Sequence, residues 1–153
     1  EITTLDKELT HVKQYLSIQK QCYEDLFEYS IDADKSLIDT PIPRILLQPL
    51  VENSILHGLR DMQEGGKISI VIERQSEEMV LRVVDNGQGF DQEAVKHEMV
   101  KEGFSMNGYA LRNIYQRLQL YYHGLARIEL ESVPHERTQI ALFIPLSFRE
   151  EGL

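Results

Sequence analysis

The residues best suited to chemistry in this chain sit in one short run, Asp85-Asn86-Gly87-Gln88-Gly89-Phe90. It follows Met79-Val80-Leu81-Arg82-Val83-Val84, which reads as a strand, and precedes a helix-like run from Asp91. A carboxylate accepts hydrogen bonds and donates none. At the end of a strand, Asp85 therefore suits a ligand that offers N–H donors, such as the exocyclic amine of adenine. The two glycines permit positive φ and close backbone approach. Asp-Asn-Gly-x-Gly is also ordinary turn chemistry, so by itself the run supports a plain turn equally well.

Two further runs bear on that choice. Upstream stands Gln48-Pro49-Leu50-Val51-Glu52-Asn53-Ser54-Ile55-Leu56-His57-Gly58. On a helix, Glu52 and Asn53 lie one turn from Leu56 and His57 and can line one side of a pocket. The Asn53 side-chain oxygen is a hard neutral ligand. It suits a Mg²⁺ ion that keeps most of its waters and bridges phosphates. Downstream stands Asn107-Gly108-Tyr109-Ala110-Leu111-Arg112-Asn113-Ile114. A helix start preceded by glycine presents free N–H groups to phosphates.

In order and separation the three runs resemble the N, G1 and G2 boxes of GHKL (Bergerat-fold) ATP-binding domains. Leu47-Gln48-Pro49-Leu50-Val51-Glu52-Asn53 with His57-Gly58 looks most like the LytS/YesM-type sensor histidine kinases. The resemblance implies ATP and Mg²⁺ as ligands. Asp85 would bind the adenine amine, Gly87 and Gly89 would admit the backbone, and Asn53 would hold Mg²⁺. Gly108, Tyr109, Leu111 and nearby backbone would meet the phosphates, with His57 at the phosphate or ribose edge. Glu52 is either the general base toward an acceptor histidine or a plain helix-face carboxylate. The implied reaction is phosphoryl transfer to a histidine on a dimerisation helix, followed by relay to a response regulator. The full protein would be a homodimeric membrane sensor with this part in the cytoplasm.

The sequence departs from the family pattern at three places. Leu56 stands where the family usually has Lys, which removes a charge-assisted phosphate contact typically contributing about 1.5–3 kcal/mol. Met106 and Ala110 stand at the first and last glycine positions of the G2 box. Pro49 occupies the position at which gyrase-type ATPases carry their water-activating Glu, which argues against that class. Two readings therefore stand side by side: a competent kinase domain, and a degenerate nucleotide-binding or docking module.

The elements that must position these residues can be read in order. Leu5, Leu9, Val12 and Leu16 form one helical face, with Thr3 or Thr4 as cap and Glu8 largely off the face. That helix runs to about residue 21–24. Its stripe suits a dimer contact or docking on the chain's own sheet. His11 reads as a solvated helix residue rather than an acceptor, because the family's acceptor segment is absent. Asp25–Ile31 alternates as a half-buried strand. Pro41-Ile42-Pro43 breaks structure, with Pro43 in the first turn of a helix spanning about Arg44–Leu59 that Gly58 ends. Pro49 should bend that helix. Ile68/Ile70/Ile72 and Met79–Val84 make a strand pair. Residues 91–107 read as a charged ATP lid that includes His97. Residues 108–122 read as a helix, and 126–131 with 138–146 as a final hairpin. The order predicts an α+β two-layer sandwich: a mixed, mostly antiparallel sheet with helices on one face. Residues 1–24 read as the end of the dimerisation helices or a linker, 25–148 as the ATP-binding domain, and 149–153 as a tail.

Composition sets the outer limits. With 153 residues and 42% hydrophobic content the chain can bury a real core. A net charge of −9 argues against a nucleic-acid surface. No apolar run is long enough to span a membrane. The start, Glu1-Ile2-Thr3-Thr4, has neither Met nor a basic and apolar leader, and reads as an excised piece. The single cysteine, Cys22, excludes an internal disulfide or a cysteine zinc site and fits a reducing compartment.

Overall fold

The computed structural model describes residues 1–89 and 106–148, apart from the side chains of 106–110. Five strands form one sheet in the order β2-β4-β5-β7-β6. They are β2 (Phe27–Ala33), β4 (Gly66–Gln75), β5 (Glu78–Asp85), β6 (Arg127–Val133) and β7 (Arg137–Pro145). Only the β2–β4 pair is parallel, and the other three pairs are antiparallel. Helices α1 (Leu5–Cys22), α2 (Leu47–Asn53) and α3 (Met106–Tyr121) cover one face, with α2 touching both of the others. A separate two-stranded ribbon pairs β1 (Ile2–Thr4) with β3 (Pro41–Pro43). The expected mixed α+β sandwich is the observed one.

The core follows from strand periodicity. Ile68, Ile70 and Ile72 of β4 stand opposite Asp85, Val83 and Leu81 of β5, and all six are buried on the helix side. β7 continues these rows with Thr138, Ile140 and Leu142. Asp85 thus ends a row of apolar residues on the helix-facing side of the sheet. On the opposite face Arg82 pairs with Glu73, and the Arg127 guanidinium lies 3.8 Å from the Phe143 ring centroid.

Helix α1 has the expected stripe. Leu5, Leu9, Val12 and Leu16 are buried in the same core as the sheet, so the stripe docks within the domain. Thr4 is the cap, accepting from the Lys7 amide at 3.4 Å. Glu8 departs from expectation. It is 2% exposed, turned inward rather than off the face.

The approach to α2 also differs. Pro41–Pro43 is a strand, not a helix start, because it pairs with Ile2–Thr4. The chain then turns through Ile45, which has φ +57°, and α2 begins at Leu47 rather than Arg44. Pro49 consequently falls in the first turn, where its missing N–H removes no intrahelical bond. After Asn53 the helix widens into a π turn, Ser54–Gly58. Strand β2 begins two residues later than expected, at Phe27, and α3 two residues earlier, at Met106. The β4–β5 turn falls at Ser76-Glu77. The expected lid, apart from the backbone of 106 and 107, lies outside the described residues, as does the tail.

Candidate nucleotide site

The π turn that follows Asn53 and the loop that follows β5 close on one another. The Gln88 amide donates to the Gly58 carbonyl at 2.7 Å, and the Gln88 side chain donates to the His57 carbonyl at 2.7 Å. Contact is so close that a Cβ on Gly87 would lie 1.8 Å from the Gly58 oxygen. Gly87 is therefore required by approach to the N box, not by its own φ. Gly58 is constrained instead by a side chain. Its φ is not positive, so it is no left-handed helix stop; a Cβ there would lie 2.7 Å from an Asp85 carboxylate oxygen.

The same loop is anchored at two other points. Asn86 accepts from the Lys67 amide at 2.7 Å and donates to the Gly65 carbonyl at 3.0 Å, fixing the loop to the start of β4. The Gln88 carbonyl accepts from the His135 amide in the β6–β7 turn. Gly89 adopts φ +67° beside the Val133 carbonyl. The run 85–89 is thus a rigid ledge tied to the N box and to both hairpins.

Asp85 sits under this ledge, 2% exposed. Its carboxylate accepts from the Gly87 amide at 3.0 Å and from the Ser54 hydroxyl. Among the described residues no cation pairs with it. Burial raises its pKa above the ordinary aspartate value, and the two hydrogen bonds only partly oppose this. A buried carboxylate with two donors and spare acceptor capacity is suited to a ligand that brings N–H groups. The sequence alone does not mark Ser54, Gly58 and Gln88 as site residues. Their signal lies in the adjacency of the N and G1 boxes, which a linear reading does not show.

The other predicted residues divide. Asn53 caps the π turn and His57 lies within it; both are half-buried, and their neighbours Ser54 and Gly58 approach Asp85. Burial lowers the His57 pKa, with the Arg60 charge adding to the effect. Glu52 accepts from the Gln48 side chain at 3.0 Å. It also lies toward α1, where Tyr15 is pushed up to about 12 by burial and then by the Glu52 charge. Gly108 and Tyr109 lie in the first turn of α3, and the Gly108 amide precedes the first intrahelical bond. Leu111 is 1% exposed in the core, so its side chain faces the sheet. Leu56 is 57% exposed, so its departure from Lys is a surface change. Among the described residues no group of three or more His, Cys, Asp or Glu could hold a metal alone. A cation beside Asn53 would need phosphate and water oxygens, the ligand set Mg²⁺ prefers.

Residues 39–147 match the family model described as "Histidine kinase-, DNA gyrase B-, and HSP90-like ATPase". The chain belongs to that family. The sensor protein LytS of Oceanobacillus iheyensis is 39% identical over 124 residues, covering 76% of this chain and 21% of that protein. The sensor histidine kinase/phosphatase LytS of Staphylococcus aureus is 34% identical over 132 residues, covering 84% of this chain and 23% of that protein. This chain therefore spans roughly a fifth to a quarter of these relatives' length. In fold it is similar to the nucleotide-free catalytic domain of the histidine kinase ThkA, with a TM-score of 0.69 at 15% identity and 95% of each chain covered. Family, relatives and fold agree on an ATP-binding catalytic domain of the sensor histidine kinase type, and they do not favour the degenerate docking module.

Proposed function

We propose that this domain binds Mg-ATP and transfers the γ-phosphoryl group to a histidine on a dimerisation helix of the same homodimeric sensor. The phosphohistidine then supplies a response regulator. The full protein is a membrane sensor with this domain on the cytoplasmic side. No helix among the described residues is long and apolar enough to cross a membrane.

The observation that carries the reading is the buried Asp85, held on the apolar face without a cation partner among the described residues. Adenine supplies the missing donor through its exocyclic amine. His57 stands at the phosphate or ribose edge, and the first-turn amides of Gly108 and Tyr109 meet the phosphates. Asn53 is the residue to hold Mg²⁺, which when bound neutralises phosphate charge. A neutral imidazole is already nucleophilic at cellular pH. Its nitrogen forms the N–P bond as the bond from the γ-phosphorus to the β–γ bridging oxygen breaks and ADP leaves. The domain's contribution is positioning and electrostatic stabilisation, as in other phosphoryl transfers. Glu52 is the candidate base for the imidazole proton. Glu52→Gln should then slow transfer while leaving ATP affinity unchanged.

The test supplies the domain with a helical fragment bearing the family's acceptor histidine and saturating Mg-ATP labelled at the γ-phosphate. Acid-labile label on the fragment, lost with Asp85→Asn, supports the reading. Absence of phosphohistidine with the wild-type domain sinks it.

A further inference from the structure

The helix that carries Asn53 has no cap of its own. Leu46 occupies the cap position and makes no side-chain hydrogen bond. The three amides that open the helix are taken instead by Glu8 of α1. Ile45 donates to Oε2 at 3.1 Å, and Leu46 and Leu47 donate to Oε1 at 2.8 and 3.0 Å. Glu8 is buried, and the described residues pair it with no cation. A buried carboxylate at a helix N-terminus is stabilised by the free amides and by the helix dipole together. The same corner has a second restraint. Arg117 of α3 donates to the Ile45 carbonyl at 2.7 Å and also to the Arg44 carbonyl. The corner is strained, since Ile45 is β-branched and has φ +57°. A residue of that kind stays in the left-handed region only when its surroundings over-determine it. Here Glu8 holds the amide edge and Arg117 the carbonyl edge.

We infer that Glu8 and Arg117 are positioning residues for the nucleotide site. Together they fix the start of α2, and so the direction in which it delivers Asn53. The π turn that continues α2 is held independently by the Gly58–Gln88 contact beside Asp85. Releasing the start lets the helix pivot about that contact, which displaces Asn53 more than Asp85. The corner also joins α1, the Asn53 helix and α3, whose first turn contains Gly108. This deepens the proposed Mg-ATP site and rests on it.

The experiment compares two ligands on the same variants. Adenosine reads the Asp85 end of the site, and Mg-bound non-hydrolysable ATP analogue also reads Asn53. Affinities of wild type, Glu8→Gln, Glu8→Ala and Arg117→Met are measured at a temperature where each variant is folded. Glu8→Ala should weaken the Mg-ATP analogue roughly tenfold, the scale seen for outer partners of metal ligands, and leave adenosine within about twofold. Glu8→Gln keeps one acceptor oxygen for Leu46 and Leu47, so it should fall between wild type and Glu8→Ala. It carries the test if the alanine variant does not fold. Combining Glu8→Gln with Arg117→Met should give less than the sum of the single effects, because both act on one corner. A lowered melting temperature with an unchanged ratio of the two affinities overturns the inference, because it shows a purely structural clamp. Wild-type protein that binds the analogue no better with Mg²⁺ than without it overturns both this inference and the site it rests on.

Discussion

Replacing Gly87 by alanine isolates the contact on which the site is built. A Cβ there meets the Gly58 carbonyl oxygen at 1.8 Å and its carbon at 2.2 Å. Side-chain carbons in folded proteins essentially never come within 3.0 Å of such an atom, so the N-box end and the ledge must part by roughly 1.2 Å. Both sides of that contact are backbone, so no rotamer change relieves it. Separation breaks the 2.7 Å bond from Gln88 to Gly58 and loosens the 3.0 Å bond from Gly87 to Asp85. Overpacking costs about 1–3 kcal/mol. Loss of the first bond adds about 1 kcal/mol, and weakening of the second adds up to about 1.5–3 kcal/mol. The total is on the order of 5 kcal/mol, a large part of the roughly 5–15 kcal/mol by which native proteins are stable. At about 2–4 °C per kcal/mol the melting temperature should fall by at least about 10 °C. Gly65→Ala is the control. Gly65 has φ +76° and open space around its missing Cβ, so alanine there meets only backbone strain of about 1–2 kcal/mol. Calorimetric melts of the three proteins decide the matter. A Gly87→Ala protein melting within about 3 °C of wild type, or no lower than Gly65→Ala, would refute the argument that the two boxes are locked through that contact.

Asp85→Asn should trade stability for binding. Burial raises the Asp85 pKa in the fold above its ordinary 3.8, so ionisation disfavours the native state. Stability from this group is greatest below the ordinary value and is lost as pH rises through the folded value. The variant should therefore melt a few degrees above wild type at pH 7, with the gap closing as pH falls through the raised folded value toward the ordinary 3.8. A variant less stable than wild type at pH 7 would show that the carboxylate is structural. Tyr122→Phe removes a buried hydroxyl with no hydrogen-bond partner among the described residues. It should raise stability by about 1 kcal/mol, or about 2–4 °C in a melt, and a fall would point to a partner for that hydroxyl.

Local pattern made part of this structure legible. The Leu5–Leu16 stripe and the alternation of Ile68, Ile70 and Ile72 need only the helix and strand periods, and both are buried where those periods put them. The Asp85 run was found because strand, carboxylate and glycines are contiguous. At the corner of residues 41–46 the sequence expectation and the structure differ for a physical reason. Pro43 is a good first-turn residue anywhere, and the pairing of β3 with β1 spans about forty residues of chain. Glu8 was placed off its helix face for the same reason: its partners lie 37 to 39 residues away. Gly58 shows a third kind of limit. Its sequence position suits a helix stop, but the constraint on it is the Asp85 carboxylate, which only the closed fold brings there.

The most direct test of the account is a calorimetric titration of this chain with a non-hydrolysable ATP analogue, with and without Mg²⁺, beside Asp85→Asn. The account predicts binding by the wild-type chain that Mg²⁺ strengthens and that the variant loses, even though the variant remains folded. An unchanged affinity in Asp85→Asn, or no binding by the wild-type chain, would contradict it.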